Sequence, residues 1–564
     1  MDMAITEGHY DVIVIGSGIS GGWAAKEFCE KGLKTLVLER GFDVQHVKDY
    51  PTAYKDPWEF PHRNRVPLQV RKENPIVSRC YAFNEDAQHF FTLDAEQEYI
   101  QEKPFDWIRG YHVGGKSLLW ARQVQRWSDH DFEGPARDGF AVDWPIRYAD
   151  IAPWYSYVER FIGVSGNRDG NAAMPDGEFL PAFELNAVER MVQERLPKGY
   201  PDRQVIAGRC AHITEPKEIH IQQGRTRCQN RTLCQRGCPF GGYFSSNAST
   251  LPWAAKTGNL TIRPNSIVES IIFDKDRGIA TGVRIIDAET GQDYVFNSRL
   301  VFVNASAMAS TQILLNSTSD RFPNGLGNDS GLLGKYVAFH NYLGSISATM
   351  EGFDDQYYYG RRPTQPIIPN FRNVRKQETD FLRGYASFFS AYRGQAAPTG
   401  DSLGASYKDS LSEVGGWGIG MMMQGETIPK AENHIRLSKD KRDKYGMPQL
   451  IFHVDYDDND RKSMADFLEQ GAEMLEYIGA KNISTHDSKQ NPGLDIHEMG
   501  GARMGHDPKS SLLNSWNQLH HCKNVFVTDG ACMTSTGTQN PSLTYMALTA
   551  RAADYAINQY LKKL

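Results

Sequence analysis

Long apolar runs are missing from this 564-residue chain. No stretch approaches the roughly 20 residues that cross a bilayer as a helix, so no membrane span is expected. Blocks of basic residues are missing too. Lys and Arg number 62 against 68 Asp and Glu, a formal charge of −6, which gives no footing for nucleic acid. The opening MDMAITEGHY lacks a basic segment followed by an apolar core. No signal peptide is therefore readable, and export would need another carrier. Eight cysteines in a chain of this length do not make a disulfide scaffold, yet three of them fall within eleven residues. What remains is the composition of an ordinary soluble protein, 40% hydrophobic and 23% charged. It is long enough for two interleaved domains.

The chain is organised around residues 10–40, YDVIVIGSGISGGWAAKEFCEKGLKTLVLER. Residues 11–15 form a β-branched run suited to one buried strand. Gly16, Gly18 and Gly21 give G-x-G-x-x-G, with Ile19 and Ser20 between the last two, and a helical pattern follows over 23–30. Gly32 ends that helix, residues 35–38 read as a second strand, and Glu39 and Arg40 close the unit. The first glycine permits a tight turn, the second lets backbone approach a pyrophosphate, and the third lets helix and strand pack closely. Glu39, 23 residues after Gly16, stands where an acid binds the hydroxyls of an adenosine ribose. It would repel a 2′-phosphate, which argues against NADP. The motif alone does not separate FAD from NAD.

After Arg40 the pattern turns irregular and aromatic-rich to about residue 106, unlike the next βαβ unit of a compact NAD domain. Residues 110–122, GYHVGGKSLLWAR, pair Gly114 and Gly115 with Ser117 and a short apolar run. They suit a loop that enters a helix with backbone N–H groups free for an anion; a simple tight turn would use the same residues. Helices are expected over 144–165 and 181–195, both as packing. Strands and turns alternate over 261–304, followed by a helix over 305–315. Residues 335–490 carry strand-like aromatic stretches, a glycine-rich run with Met421, Met422 and Met423, a two-stranded hairpin, and a long helix over about 457–478. The methionines suit a pocket or the core.

Cys228, Cys234 and Cys238 follow C-x5-C-x3-C with proline next. Three thiolates on one loop can converge on an iron–sulfur cluster. Zinc would need a fourth ligand, for which His212 and His220 are available. Free thiols, or a disulfide with one cysteine left over, complete the choices.

In their order, the N-terminal fingerprint, VGGKSLLW, HEMGGARMG and DGACMTSTGTQNPSLTYMALTARAADYA resemble the GMC flavin oxidoreductases over essentially the whole chain. The resemblance implies an α/β fold, with a Rossmann-like FAD-binding domain interleaved with a substrate domain on an antiparallel sheet. The FAD domain would take residues 1–45, 106–130, 225–335 and 495–564; the substrate domain and excursions would take 46–105, 131–224 and 336–494. It implies FAD held by the fingerprint, by Gly114, Gly115 and Ser117, by the backbone of Val268, and by Asp529, Gly530, Asn540 and Pro541. Pyranose oxidases attach their flavin to a histidine in a segment similar to VGGKSLLW. Leu119 stands at that position here and His112 is no obvious substitute, so a non-covalent flavin is expected. Asn540 opens a closing helix over 540–561, whose N-terminus is expected to face the flavin.

Oxidising an alcohol requires a base within reach of the hydroxyl and a neighbour that fixes its orientation. Neutral histidine suits the first role and asparagine the second. His497 and Asn540 match the family's two active-site positions; their spacing alone does not bring them together. His506, His520 and His521 are left as structural or surface residues. The cysteine loop is similar to that of bacterial FAD-dependent glucose dehydrogenases, which implies a [3Fe-4S] cluster. Within that branch the chain is most similar to glucoside 3-dehydrogenases, with C1 oxidation of glucose and gluconate or polyol oxidation as alternatives. The cysteine loop argues against an oxygen-reducing oxidase, and His497 with Asn540 against a flavin carrier lacking substrate chemistry. The branch further implies a small subunit carrying the export signal, a cytochrome c acceptor, and a periplasmic location, or a cytoplasmic one if the chain acts alone.

Overall fold

The first strand, Ile5–Ile15, is the axis of a seven-stranded sheet. The computed structural model describes residues 5–357, 362–395 and 403–563. Val12, Ile13, Val14 and Ile15 are buried on both faces of this strand, as a continuous apolar run in a parallel sheet requires. Thr35–Leu38 lies parallel on one side and Asp293–Val303 parallel on the other. The Ile19–Glu30 helix makes the crossover between the first two strands, and Leu260–Arg263 extends the sheet beyond Thr35–Leu38. The far edge of Asp293–Val303 is divided. Residues 293–297 pair antiparallel with 282–286, starting a meander that ends at Ser266–Asp274. Residues 301–303 instead pair parallel with Val525–Val527. Phe302 and Phe526 stack across this last pairing at 4.7 Å. The helix Ser542–Tyr555 packs against Ile19–Glu30.

A second, six-stranded sheet is antiparallel and centred on Val414–Glu426. Along that strand Trp417, Ile419, Met421 and Met423 are buried and share a core with Phe467, Met474, Leu475 and Ile478 of the Asp458–Ile478 helix. Asp457 caps that helix, accepting from Asp460 N at 3.2 Å, and Gly479 ends it at φ 92°. The period of two sends Met422 to the opposite face, where it is 37% exposed. Met421 and Met423 are thus core, while their neighbour is not. His434–Arg442 and Pro448–His453 form the expected hairpin.

Several local expectations shift. The first strand is longer than residues 11–15 because its start pairs with residues 294–298 across a bulge. The helix expected from residue 181 begins at Ala187, where Asn186 accepts from Glu189 N at 3.0 Å. Residues 110–122 enter only the short 3-10 turn Gly115–Leu118. Gly114 and Gly115 both adopt positive φ, 87° and 48°, a conformation that a right-handed helix cannot continue. The closing α-helix stops at Tyr555 and continues as a π-turn over Ala556–Tyr560. Residues of the aromatic excursion, among them Tyr50, Phe83 and Phe90, form a separate core with Leu118 and Leu119.

Candidate active site

At the end of the first strand Gly16 has φ 94°, and a Cβ there would lie 2.4 Å from Asn304 O. A Cβ on Gly21 would lie 1.9 Å from Gly16 O. Both positions therefore exclude any larger residue. Gly18 meets nothing within 4 Å, and it opens the Ile19–Glu30 helix with no side-chain cap and no acid in the first turn. The N–H groups at Ile19, Ser20 and Gly21 thus point their dipole at open space, a fit for a phosphate anion. Glu39 is buried, and its carboxylate accepts from Ser17 Oγ at 2.5 Å, Ser17 N at 3.1 Å and Gly41 N at 3.0 Å. Burial raises its pKa.

The second glycine loop closes on the first. Gly114 N donates to Ser17 Oγ at 2.9 Å, and a Cβ on Gly115 would approach Gly18 Cα to 3.6 Å. Ser117 Oγ donates to Gly114 O at 2.6 Å and accepts from Ser246 N at 3.0 Å. Asp529, also buried, accepts from Ser310 Oγ at 2.5 Å and Ala531 N at 2.9 Å; burial lifts its pKa to about 6. Gly530 follows it with Glu498 O only 2.4 Å from a would-be Cβ. Val268 is buried opposite Ile285, at a bulge that precedes Ser270. Arg40 pairs with Asp443 at 2.9 Å and stands over the Tyr111 ring at 5.0 Å. His112 is fully buried, with Nδ1 2.9 Å from Val113 O.

His497 and Asn540 meet. His497 Nε2 lies 3.3 Å from Asn540 Nδ2, and its Nδ1 lies 2.8 Å from His340 Nδ1. His340 Nε2 is 3.0 Å from Gly537 O and 3.2 Å from Thr536 O. On the other side Gln424 Nε2 donates to Thr538 O at 2.8 Å and reaches Asn540 Oδ1 at 3.4 Å. Tyr342 OH donates to Gln424 Oε1. Asn540 N donates to Gln125 Oε1 at 3.1 Å, and Pro541 is the N-cap of the last helix. Asp495 Oδ2 accepts from the backbone N–H of His340 at 2.9 Å and of His497 at 3.2 Å. The second sheet delivers His340 and Gln424, because His340–Asn341 pairs with Glu426 and Gly425 beside Gln424. Gln125, Met174, Ser387, Phe388 and Gln424 gather around Asn540.

Burial holds His497 well below the ordinary histidine pKa, with His340 and Lys116 adding to the effect. His340 is lowered to about 4 and Asp495 raised to about 7, both chiefly by burial. Ligand atoms of His340, Asp495 and His497 lie within 4.8 Å of one another, but the ring-to-ring hydrogen bond already occupies two of them. The site is a pair of histidines, both with lowered pKa, beside an amide. It can take a proton from an alcohol and hold the oxygen in place. Sequence reading missed His340, Tyr342 and Gln424, which no local motif marks.

Cys228, Cys234 and Cys238 line a cavity with His212 and Tyr243. All three thiols are free and partly exposed. Cys234 Sγ is 3.8 Å from His212 Nε2. His220 is engaged elsewhere, accepting from Lys217 N at 3.0 Å and lying 3.1 Å from Arg160 O, so it drops out as a ligand. A single zinc, with bonds of about 2.3 Å to sulfur, needs sulfurs within about 4.6 Å of each other. Among the described residues no three ligand atoms that include these cysteines lie within 4.8 Å. The three sulfurs therefore do not converge as one zinc ion would require. Arg122 Nε and Nη1 and Arg225 Nη2 are buried without hydrogen-bond partners, and Cys234 and Cys238 are among the groups that act on Arg122 and Arg225 respectively. Buried cations need counter-charge.

Two family models, each described as GMC oxidoreductase, match residues 10–340 and 429–549. The chain belongs to the GMC oxidoreductase family, a family that binds FAD, and it is an enzyme of the class that oxidises CH–OH groups. It is 27% identical to 2-methyl-1,2-propanediol dehydrogenase of Mycolicibacterium austroafricanum, over 99% of this chain and 97% of that protein. It is 26% identical to the fructose dehydrogenase large subunit of Gluconobacter japonicus, over 97% and 98%. Its fold matches the crystal structure of pyridoxine 4-oxidase from Mesorbium loti with a TM-score of 0.60 at 14% identity, covering 96% of this chain and 98% of that one. Among the described residues no helix is long and apolar enough to cross a membrane.

Proposed function

We propose that the chain is an FAD-dependent sugar dehydrogenase that oxidises a ring hydroxyl, C3 of a glucoside or disaccharide, to a 3-keto sugar. The observation that carries this reading is the 3.3 Å contact between His497 Nε2 and Asn540 Nδ2. His497, kept neutral by burial, takes the hydroxyl proton on Nε2. Asn540 donates to the same oxygen and aligns the carbinol carbon. Gln125 and Ser387 beside Asn540 are polar without charge, which suits a neutral polyol.

FAD, when bound, supplies the two-electron acceptor for the hydrogen leaving that carbon. The residues that would hold it are Glu39 at the ribose, the Gly16–Gly21 turn at the pyrophosphate, Gly114, Gly115 and Ser117 across from it, the Val268 backbone, and Asp529, Gly530, Asn540 and Pro541 along the flavin. Leu119 offers no nucleophile for a covalent link. A [3Fe-4S] cluster on Cys228, Cys234 and Cys238, when bound, supplies a one-electron exit. What supports it is the three-thiol loop together with the buried Arg122 Nε and Nη1 and Arg225 Nη2, which lack hydrogen-bond partners. We further place the enzyme in the periplasm, exported with a small subunit that carries the signal and feeding a cytochrome c. Support for a partner is that the fructose dehydrogenase relative is named as a large subunit.

The test is an anaerobic absorbance titration of the holoenzyme with methyl glucoside, whose blocked anomeric carbon forbids C1 oxidation. Loss of the flavin absorbance is expected, with a 3-keto product. Bleaching by free glucose alone would move the chemistry to C1, and no bleaching by either would overturn the sugar reading. Iron and acid-labile sulfide measured on the same sample test the cluster; their absence would remove it.

A further inference from the structure

The hydrogen bonds around His497 end, on both sides, at groups that can only accept. Backbone carbonyls carry no proton. At one end, Thr536 O and Gly537 O lie 3.2 and 3.0 Å from His340 Nε2, so that nitrogen carries the proton. Neutral His340 then has its lone pair on Nδ1, and the 2.8 Å bond to His497 Nδ1 must be donated by His497. The lone pair of His497 is left on Nε2.

The other end gives the same answer independently. Thr538 O accepts at 2.8 Å from Gln424, which fixes the Gln424 amide with Nε2 inward and Oε1 toward the Tyr342 hydroxyl. The second Gln424 proton points at Asn540 Oδ1, 3.4 Å away. Asn540 therefore turns Nδ2 to His497 Nε2, and a donor there demands a lone pair. Three consecutive carbonyls, Thr536, Gly537 and Thr538, thus write one proton arrangement from two directions.

We propose that His340 and Gln424 are positioning residues that lock His497 in the tautomer with its proton on Nδ1 and its basic nitrogen on the substrate side. Neither touches the reacting atoms; each acts through His497 or Asn540. This rests on His497 being the base. The wrong tautomer would present an N–H to the substrate hydroxyl and have no site for its proton. A lost hydrogen bond of about 0.5–1.5 kcal/mol lets that tautomer compete, on the order of a tenfold effect.

The test is the pH profile of kcat/KM of the flavin-loaded enzyme. The other titratable groups near His497 are Asp495, Tyr342, Lys116 and Glu498, with Lys116 paired to Glu498 at 3.2 Å. In the wild type, activity rises with pH as His497 loses its proton and levels off. His340→Leu is expected to lower the plateau about tenfold, while His340→Gln, whose amide can donate to the carbonyls and accept from Nδ1, restores much of it. Gln424→Glu is expected to add a falling limb, because an ionised carboxylate cannot donate to Thr538 O or Asn540 Oδ1 and turns the asparagine over. Flavin absorbance and thermal midpoint report whether each variant is folded. Equal plateaus for His340→Leu and His340→Gln, with no falling limb in Gln424→Glu, would overturn the assignment. Full turnover of His497→Ala would instead overturn the base on which it rests.

Discussion

The dinucleotide cradle and the catalytic pair are built in opposite ways. The cradle is local: Gly16, Gly18, Gly21 and Glu39 belong to one strand–helix–strand unit, and its tolerances are set by backbone contacts such as the 1.9 Å between a Gly21 Cβ and Gly16 O. The catalytic pair is assembled from segments at 340–342, 424, 495–497 and 536–540, joined by side-chain hydrogen bonds. A local device can be specified by steric exclusion, which fixes one shape and is insensitive to protonation. A device made of distant hydrogen bonds specifies proton positions as well as atom positions. It is adjustable, and it can be wrong in more ways.

Three substitutions sharpen that contrast. The largest effect is expected at His497→Ala, which removes the base while leaving the cradle intact. Stopped-flow flavin reduction should slow by about 10²–10⁴ with flavin content unchanged. A change below tenfold would mean that the catalytic pair is not where the chemistry lies. Gly21→Ala comes next and strikes the other region: the new methyl overlaps Gly16 O, at a cost of about 1–3 kcal/mol. Flavin occupancy and thermal midpoint should both fall, read by the absorbance ratio and by calorimetry. Normal occupancy would refute the steric account of the turn. Glu39→Gln is the mildest. It keeps the shape but loses a charge-assisted bond, so FAD affinity should weaken by about tenfold in titrations of the apoprotein, with kcat at saturating FAD unchanged.

The same contrast explains what could be read from sequence. Glycines, the β-branched run and the terminal acid of the cradle are spaced by local geometry, so residues 10–40 announced their fold directly. His497 and Asn540 were reached through family resemblance, since no spacing rule joins residues 43 positions apart. His340 and Gln424 were illegible for a further reason. On strands, the face a side chain takes is decided by register, and a shift of one residue inverts it. Met421 and Met423 enter the core while Met422 does not; nothing in the triplet itself says which. The 110–122 segment erred in the other direction. Its composition permits a helix, but two successive left-handed glycines stand at its start, and only the single 3-10 turn Gly115–Leu118 forms. Cys228, Cys234 and Cys238 were conspicuous by spacing, whereas the guanidiniums of Arg122 and Arg225 beside them came from other segments.

The divided edge of the Asp293–Val303 strand has a consequence for how the chain reaches its fold. Residues 293–297 find their partner at once in the adjoining hairpin, but residues 301–303 wait for Val525–Val527. During synthesis and refolding that stretch is an open strand edge, ready to pair with a neighbouring chain. Parallel contacts between segments so far apart form late and slowly. The step that closes this edge also brings up Asp529, the 536–538 carbonyls and Asn540, so an incompletely folded chain would have a cradle without a working base. Refolding should therefore restore sheet signal before turnover, and the interval between the two is the period in which the protein is most exposed to aggregation.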